Sequence, residues 1–204
     1  MAVEVRPATS DRWQDVVAVF GRRGEDPSWC WCQLFLRSPG TQPNLPTAPP
    51  NNRDALRWEI TSAKVPPGLV AYVEGRPAGW TRVGPRSQFP GVAGNRALAR
   101  VLTEDDPDAW WVTCFAVASR ARRAGVGRAL LEAAVELASQ HGASAVEGHP
   151  VDVAALRARK VSGSAIYTGT RAMFEAASFV EVARTAPTRP VMRRALGGPT
   201  KTAR

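Results

Sequence analysis

The 204-residue chain has no apolar run near the roughly 20 residues that cross a bilayer, so no membrane-spanning helix is expected. Its first residues, Met-Ala-Val-Glu-Val-Arg, lack the basic start and apolar core of a secretory leader, and the expectation is a soluble, cytoplasmic protein without a membrane partner. Cysteine is scarce: Cys30, Cys32 and Cys114 make an odd three, which argues against a secreted disulfide framework. The same scarcity bears on metals. Cys30 and Cys32 have only Cys114, His141 and His149 as further partners, so no metal site is expected. Lysine is nearly absent as well, with Lys64, Lys160 and Lys201 beside 24 arginines in a chain of net charge +9 and pI near 10.6. A surface so dominated by guanidinium favours polyanionic partners such as phosphates, coenzymes, RNA or acidic proteins.

What is present suffices for one core. With 44% apolar residues, this length makes a single domain the expectation, over residues 1–196, followed by a flexible tail at 197–204. Val3 and Val5 alternate with polar neighbours, which predicts a first strand over 2–6. Asp11 is then expected to cap a helix whose apolar residues Trp13, Val16, Val17 and Phe20 fall at helical spacing, ending near Gly21 or Gly24. Residues 38–50 hold five prolines and read as a loop. A second helix is predicted over 52–64, and 68–84 forms two apolar stretches around Glu74-Gly75-Arg76-Pro77, a hairpin signal. Residues 85–108 are irregular apart from a helical turn in "RALARVL". "AWWVTCFAV" (109–117) suits a strand buried on both faces, with Cys114 a small buried hydrophobe. An amphipathic helix follows over about 126–141, with Val126, Leu130, Ala133, Ala134 and Leu137 on one stripe. "SAVEGHPV" predicts the next strand, 152–163 is irregular, a helix covers about 168–177, and two strands end the chain.

The segment "SRARRAGVGRALLEAA" (119–134) sets Gly125 and Gly127 between a buried strand and a helix start. A helix start leaves unpaired N–H groups and a partial positive charge, and glycine lets an anion approach the backbone. Two nucleotide motifs are missing here. A dinucleotide fingerprint would need glycine where Leu130 stands, and a P-loop would need Gly-Lys-Ser/Thr. Arg122-Arg123-Ala124-Gly125-Val126-Gly127 instead resembles the pyrophosphate-binding motif of the GCN5-related N-acetyltransferase (GNAT) superfamily, and the order of elements over roughly 1–196 is similar to that superfamily's fold. The resemblance implies an α/β (α+β) domain with a mixed, mostly antiparallel central sheet flanked by helices. It also implies an N-acyltransferase that moves an acyl group, most simply acetyl, from acyl-coenzyme A to an amine. By the same resemblance, the backbone of about Arg123 to Arg128 (Ala124, Gly125, Val126 and Gly127 between them), with Arg122, holds the coenzyme pyrophosphate. Phe115, Ala116 and Val117 would hold the pantetheine arm.

Amine acylation needs a proton acceptor for the ammonium and a donor for the leaving group. Glu147 and His149 would share one strand face and are the candidate bases. His141, at a helix end, reads as a cap. The superfamily often carries a tyrosine acid in Tyr-x-x-x-Gly-Phe; here that position is Phe174. Tyr167, also a catalytic candidate, is about 10 Å from Phe174 if a helix spans both and cannot simply stand in for it, so the thiolate leaves unassisted, is protonated by water or His149, or is not the leaving group. Without the tyrosine, two alternatives stay open: an aminoacyl-tRNA donor, which a net +9 surface would suit through phosphate contacts, and a catalytically silent acyl-CoA or RNA-binding module. Trp29 and Trp31 could line an acceptor pocket or be core. A monomer or homodimer is expected.

Overall fold

The computed structural model describes residues 2–36, 51–102, 106–156, 162 and 165–197. The proline-rich loop expected over 38–50, much of the irregular stretch before 163 and nearly all of the tail expected at 197–204 lie outside the described residues.

Seven strands form one sheet in the order β1-β2-β3-β4-β5-β7-β6. They are β1 Val3–Pro7, β2 Gly68–Val73, β3 Arg76–Pro85, β4 Trp110–Val117, β5 Ala145–Gly148, β6 Val180–Ala186 and β7 Arg189–Ala195. Only β4 and β5 pair in parallel; every other neighbour is antiparallel. The parallel pair needs a crossover, and α5 (Val126–Gln140) supplies it. The hairpin read at 74–77 is the β2–β3 turn, where Glu74 and Gly75 take φ of 51° and 71°, the double left-handed geometry that matches strand twist.

The two faces carry different cores. On one, Leu69, Ala71, Val83, Val112, Val146 and Met192 pack against Val126, Leu130, Leu131, Ala134 and Leu137 of α5, and against Phe174 of α6 (Arg171–Ala176). Gly79 of β3 lies where α5 presses hardest, since a Cβ there would stand 2.5 Å from Val126 Cγ1. On the other face, Val70, Tyr72, Trp80 and Cys114 pack against Trp13 and Val16 of α1 (Trp13–Phe20) and Leu56 and Ile60 of α2 (Asn52–Ser62). Beside them, Trp111 and Val191 pack on Phe89, Val92 and Leu98, the last two from the short helices α3 (Pro90–Ala93) and α4 (Arg96–Ala99).

Four expectations need correction. Asp11 does not cap α1: a 3-10 turn over Ser10–Arg12 precedes the helix, and Asp11 accepts the Thr9 hydroxyl at 2.5 Å inside that turn. The last helix does not span 168–177. Residues 165–168 form a turn and α6 starts at Arg171, because Thr170 accepts the Met173 N–H and sets the cap there. The strand containing Glu147 stops at Gly148, so His149 lies beyond its end. Cys114 is buried but not a free thiol: it forms a disulfide with Cys32, leaving Cys30 free and exposed. An odd cysteine count excludes complete pairing, not one bond between distant segments.

Candidate active site

The glycine segment folds as a tight turn into α5. Gly125 is the residue before the helix and takes φ of 78°, with Arg123 also left-handed at 64°. The first amide of the helix with a backbone acceptor is Ala129, bonded to the Gly125 carbonyl at 3.0 Å. The N–H groups ahead of it, Val126 to Arg128, therefore point out of the positive end of a 15-residue helix. At Gly125 nothing lies within 4 Å of a built Cβ, so the need for glycine there is the backbone angle rather than space. At Gly127 a Cβ would stand 2.8 Å from Met173 Sδ. Beside the turn is a cleft of about 510 Å³ lined by Arg76, Arg120, Arg122 and Arg123 with Glu74 and Ala124. Bare backbone donors, a helix N-terminus and four guanidinium groups suit a pyrophosphate chemically. Arg128 points elsewhere, pairing with Glu132 one turn on.

The neighbouring strands separate. β4 and β5 pair only through Trp110–Val112 and Val146–Gly148 and then part. Beyond that point β4 continues with Phe115, Ala116 and Val117, held by β3 on one side through Thr81, Trp80 and Gly79. On the other side the Phe115 N–H donates to the Tyr167 carbonyl at 2.6 Å. The turn at 165–168 thus brings Tyr167 to β4 directly, which a helix from 168 would not have done. Burial raises the Tyr167 pKa, so its hydroxyl keeps its proton at neutral pH. Phe174 is fully buried core, edge-on to Phe115 and Phe179.

The two candidate bases are held differently. Glu147 is 2% exposed, and both its oxygens face guanidinium groups: Oε2 accepts from Arg86 NH1 at 2.9 Å and Oε1 from Arg193 NH1 at 2.5 Å. Arg193 also pairs with Asp106, which accepts the Ser144 hydroxyl. His149 is bonded at both ring nitrogens. Arg189 NH2 can only donate, so Nδ1 (3.2 Å) accepts; the Thr185 hydroxyl donates to the Arg189 carbonyl, leaving its Oγ1 to accept from His149 Nε2–H at 2.7 Å. Burial, and then the charge on Arg189, push the His149 pKa down to about 4, and the ring is neutral at pH 7. The fold therefore joins His149 and Tyr167 to one neighbourhood through Arg189 and Thr168, whereas Glu147 belongs to a separate ion-pair network. His141 is the C-cap of α5 and stacks on Trp110.

Of the two tryptophans, Trp31 is 0% exposed and packs with Trp13 and Phe20, whereas Trp29 is 40% exposed under the Arg23 guanidinium. Phe35, from the same segment, lies against Tyr167. The disulfide ties this segment to β4 beside the bulge at Thr113, where β3 pairs pass from Arg82–Cys114 to Val83–Val112. Among the described residues no group of three or more His, Cys, Asp or Glu side chains could hold a metal ion, and no helix is long and apolar enough to cross a membrane. Arg86, Arg189 and Arg193 escaped sequence reading, since nothing distinguishes three arginines among 24.

A mixed sheet whose parallel pair parts beside a glycine-led helix start defines an acyl-coenzyme-type acyltransferase domain. The chain belongs to the acetyltransferase (GNAT) family, whose model matches residues 31–161. It is an N-acetyltransferase by that membership, with acyl transfer from acyl-coenzyme A to an amine as its general reaction. Solved structures share the fold. A GCN5-related N-acetyltransferase from Kribbella flavida is 18% identical over 96% of this chain and 98% of its own, at a TM-score of 0.53. A ribosomal-protein-alanine N-acetyltransferase from Brucella melitensis is 17% identical over 95% and 99%, at 0.52. An aminoglycoside acetyltransferase, AAC(6')-Ib, in complex with coenzyme A is 15% identical over 95% of each chain, at 0.53. No curated protein matches the sequence significantly.

Proposed function

We propose that this protein acetylates a small amine from acetyl-coenzyme A, with Tyr167 as the acid. The observation that carries the reading is the left-handed Gly125 leading into α5 beside an arginine-lined cleft, on the segment that leaves β4 after β4 and β5 have parted. Arg122 and the amides of Val126 to Arg128 would hold the pyrophosphate on the turn from Arg123 through Ala124 and Gly125, and Phe115, Ala116 and Val117 the pantetheine arm. When bound, the coenzyme supplies the acetyl group as an activated thioester. The Phe115 N–H already has the Tyr167 carbonyl as acceptor, so seating of the arm and position of the 165–168 turn are coupled.

Tyr167 keeps its proton and lies on the turn that meets β4, which supports it as the group that protonates the leaving thiolate. Glu147 and His149, both committed to guanidinium groups, hold arginines in place instead of taking the amine's proton, which passes to water. Trp29, half open under Arg23, offers apolar surface to the acceptor; Trp31 is core. The test is release of free thiol from acetyl-coenzyme A with a panel of amines. Tyr167→Phe should lower kcat by roughly 10²-fold while coenzyme affinity, read by calorimetry, stays within a few fold. A kcat equal to the parent's would remove Tyr167 from the reaction.

A further inference from the structure

Arg189 opens β7 just after the Pro187-Thr188 turn, and its guanidinium is held by two neutral groups. NH1 donates to Thr168 Oγ1 at 3.1 Å and NH2 to His149 Nδ1 at 3.2 Å. Five other buried or half-buried arginines meet carboxylates: Arg82 meets Glu59, Arg86 and Arg193 meet Glu147, and Arg171 and Arg184 meet Asp152; half-buried Arg194 instead donates to the Ala177 carbonyl, and Arg53 lies over the Trp31 ring. Arg189 meets none among the described residues. Partial burial without a counter-charge is costly, and it lowers the pKa of the guanidinium itself. Nothing in the packing of β7 requires a cation there: the next residues inward, Val191 and Met192, are ordinary core.

The location gives the charge a use. Thr168 follows Tyr167, whose carbonyl caps the Phe115 N–H where β4 and β5 have parted. His149, fixed as the Nε2–H form by Thr185, turns its lone pair to Arg189 and sets the plane of the fork without cancelling its charge. We propose that Arg189 is the receptor for a carboxylate on the acceptor, so that the amine acetylated here is an amino acid. The inference rests on the acetyl-transfer reading for its chemistry, but the receptor is defined by charge and hydrogen bonding alone. Thr168 adds a hydroxyl beside the guanidinium, and the protein's net charge of +9 draws carboxylates toward the site.

The experiment compares free L-amino acids with their carboxamides as acceptors, in the full chain with acetyl-coenzyme A. The best amino acid should exceed its amide in kcat/KM by roughly 10²-fold, the worth of a charge-assisted fork, and Arg189→Gln should bring that ratio close to one. Arg189→Lys, which keeps the charge and loses the fork, should fall between them; thermal melts of both variants check folding. A parent ratio near one, or a ratio unchanged in Arg189→Gln, overturns the inference while leaving acetyl transfer standing. If no amine is acetylated although coenzyme binds, the acetyl-transfer reading fails, and the receptor is then judged by binding alone. For that arm acetate is the probe: titration at millimolar concentration should move the His149 ring nitrogen signals in the parent and not in Arg189→Gln. Signals that stay still in the parent refute the receptor independently of turnover.

Discussion

Replacing Glu147 with glutamine separates a structural carboxylate from a catalytic one. In the folded protein Glu147 is fully buried, with one oxygen on Arg86 and the other on Arg193, and Arg193 continues to Asp106. Glutamine keeps the shape and one acceptor, but it presents an NH2 group to the second guanidinium, donor against donor, and leaves two cations sharing a site that has lost its central charge. Removing one partner from a buried pair costs about 3–5 kcal/mol, and since the arginines are only partly buried the lower end, about 3 kcal/mol, is the expectation. For a chain of this length that lowers Tm by about 6–12 °C. Urea unfolding at pH 7 and thermal melts give the two measurements. Any loss in kcat for Glu147→Gln should then be independent of pH, because no proton acceptor has been removed. The reasoning is refuted if the variant melts within about 2 °C of the parent yet loses roughly 10²-fold in kcat at neutral pH and recovers it as pH rises, the signature of a missing base.

Gly125→Ala should weaken coenzyme binding by roughly tenfold and cost about 1–2 kcal/mol in stability through its left-handed backbone; unchanged affinity would remove this turn from the binding site. The depressed His149 pKa makes the folded state the poorer proton acceptor, so stability is complete above about 6.5 and falls as pH drops toward about 4, by about 3 kcal/mol at most; His149→Gln should flatten that part of the urea-unfolding profile, and an unaltered slope refutes the assignment. Alkylation of the denatured, unreduced protein should label Cys30 alone, and reductant should label all three cysteines and lower stability by about 2–4 kcal/mol, given the 82-residue separation of Cys32 and Cys114; three labelled thiols before reduction would exclude the bond.

Periodicity and turn chemistry are local, so the sequence alone determined the β2–β3 hairpin at Glu74-Gly75, the buried run of β4, the stripe of α5 and the glycine start that precedes it. Together with the order of elements these sufficed for the fold class and the family. Tertiary structure decided what the catalytic candidates face, because the partner of a titratable side chain can lie far away in the chain. Glu147 meets Arg86 and Arg193, 61 and 46 residues away, and is spoken for. His149 meets Arg189 across 40 residues and is held neutral. Tyr167 reaches β4 only because Thr170 starts the last helix late. The pairing of Cys32 with Cys114, and the absence of a counter-charge at Arg189 among the described residues, are likewise properties of packing between segments far apart in the chain, which no local spacing of residues encodes.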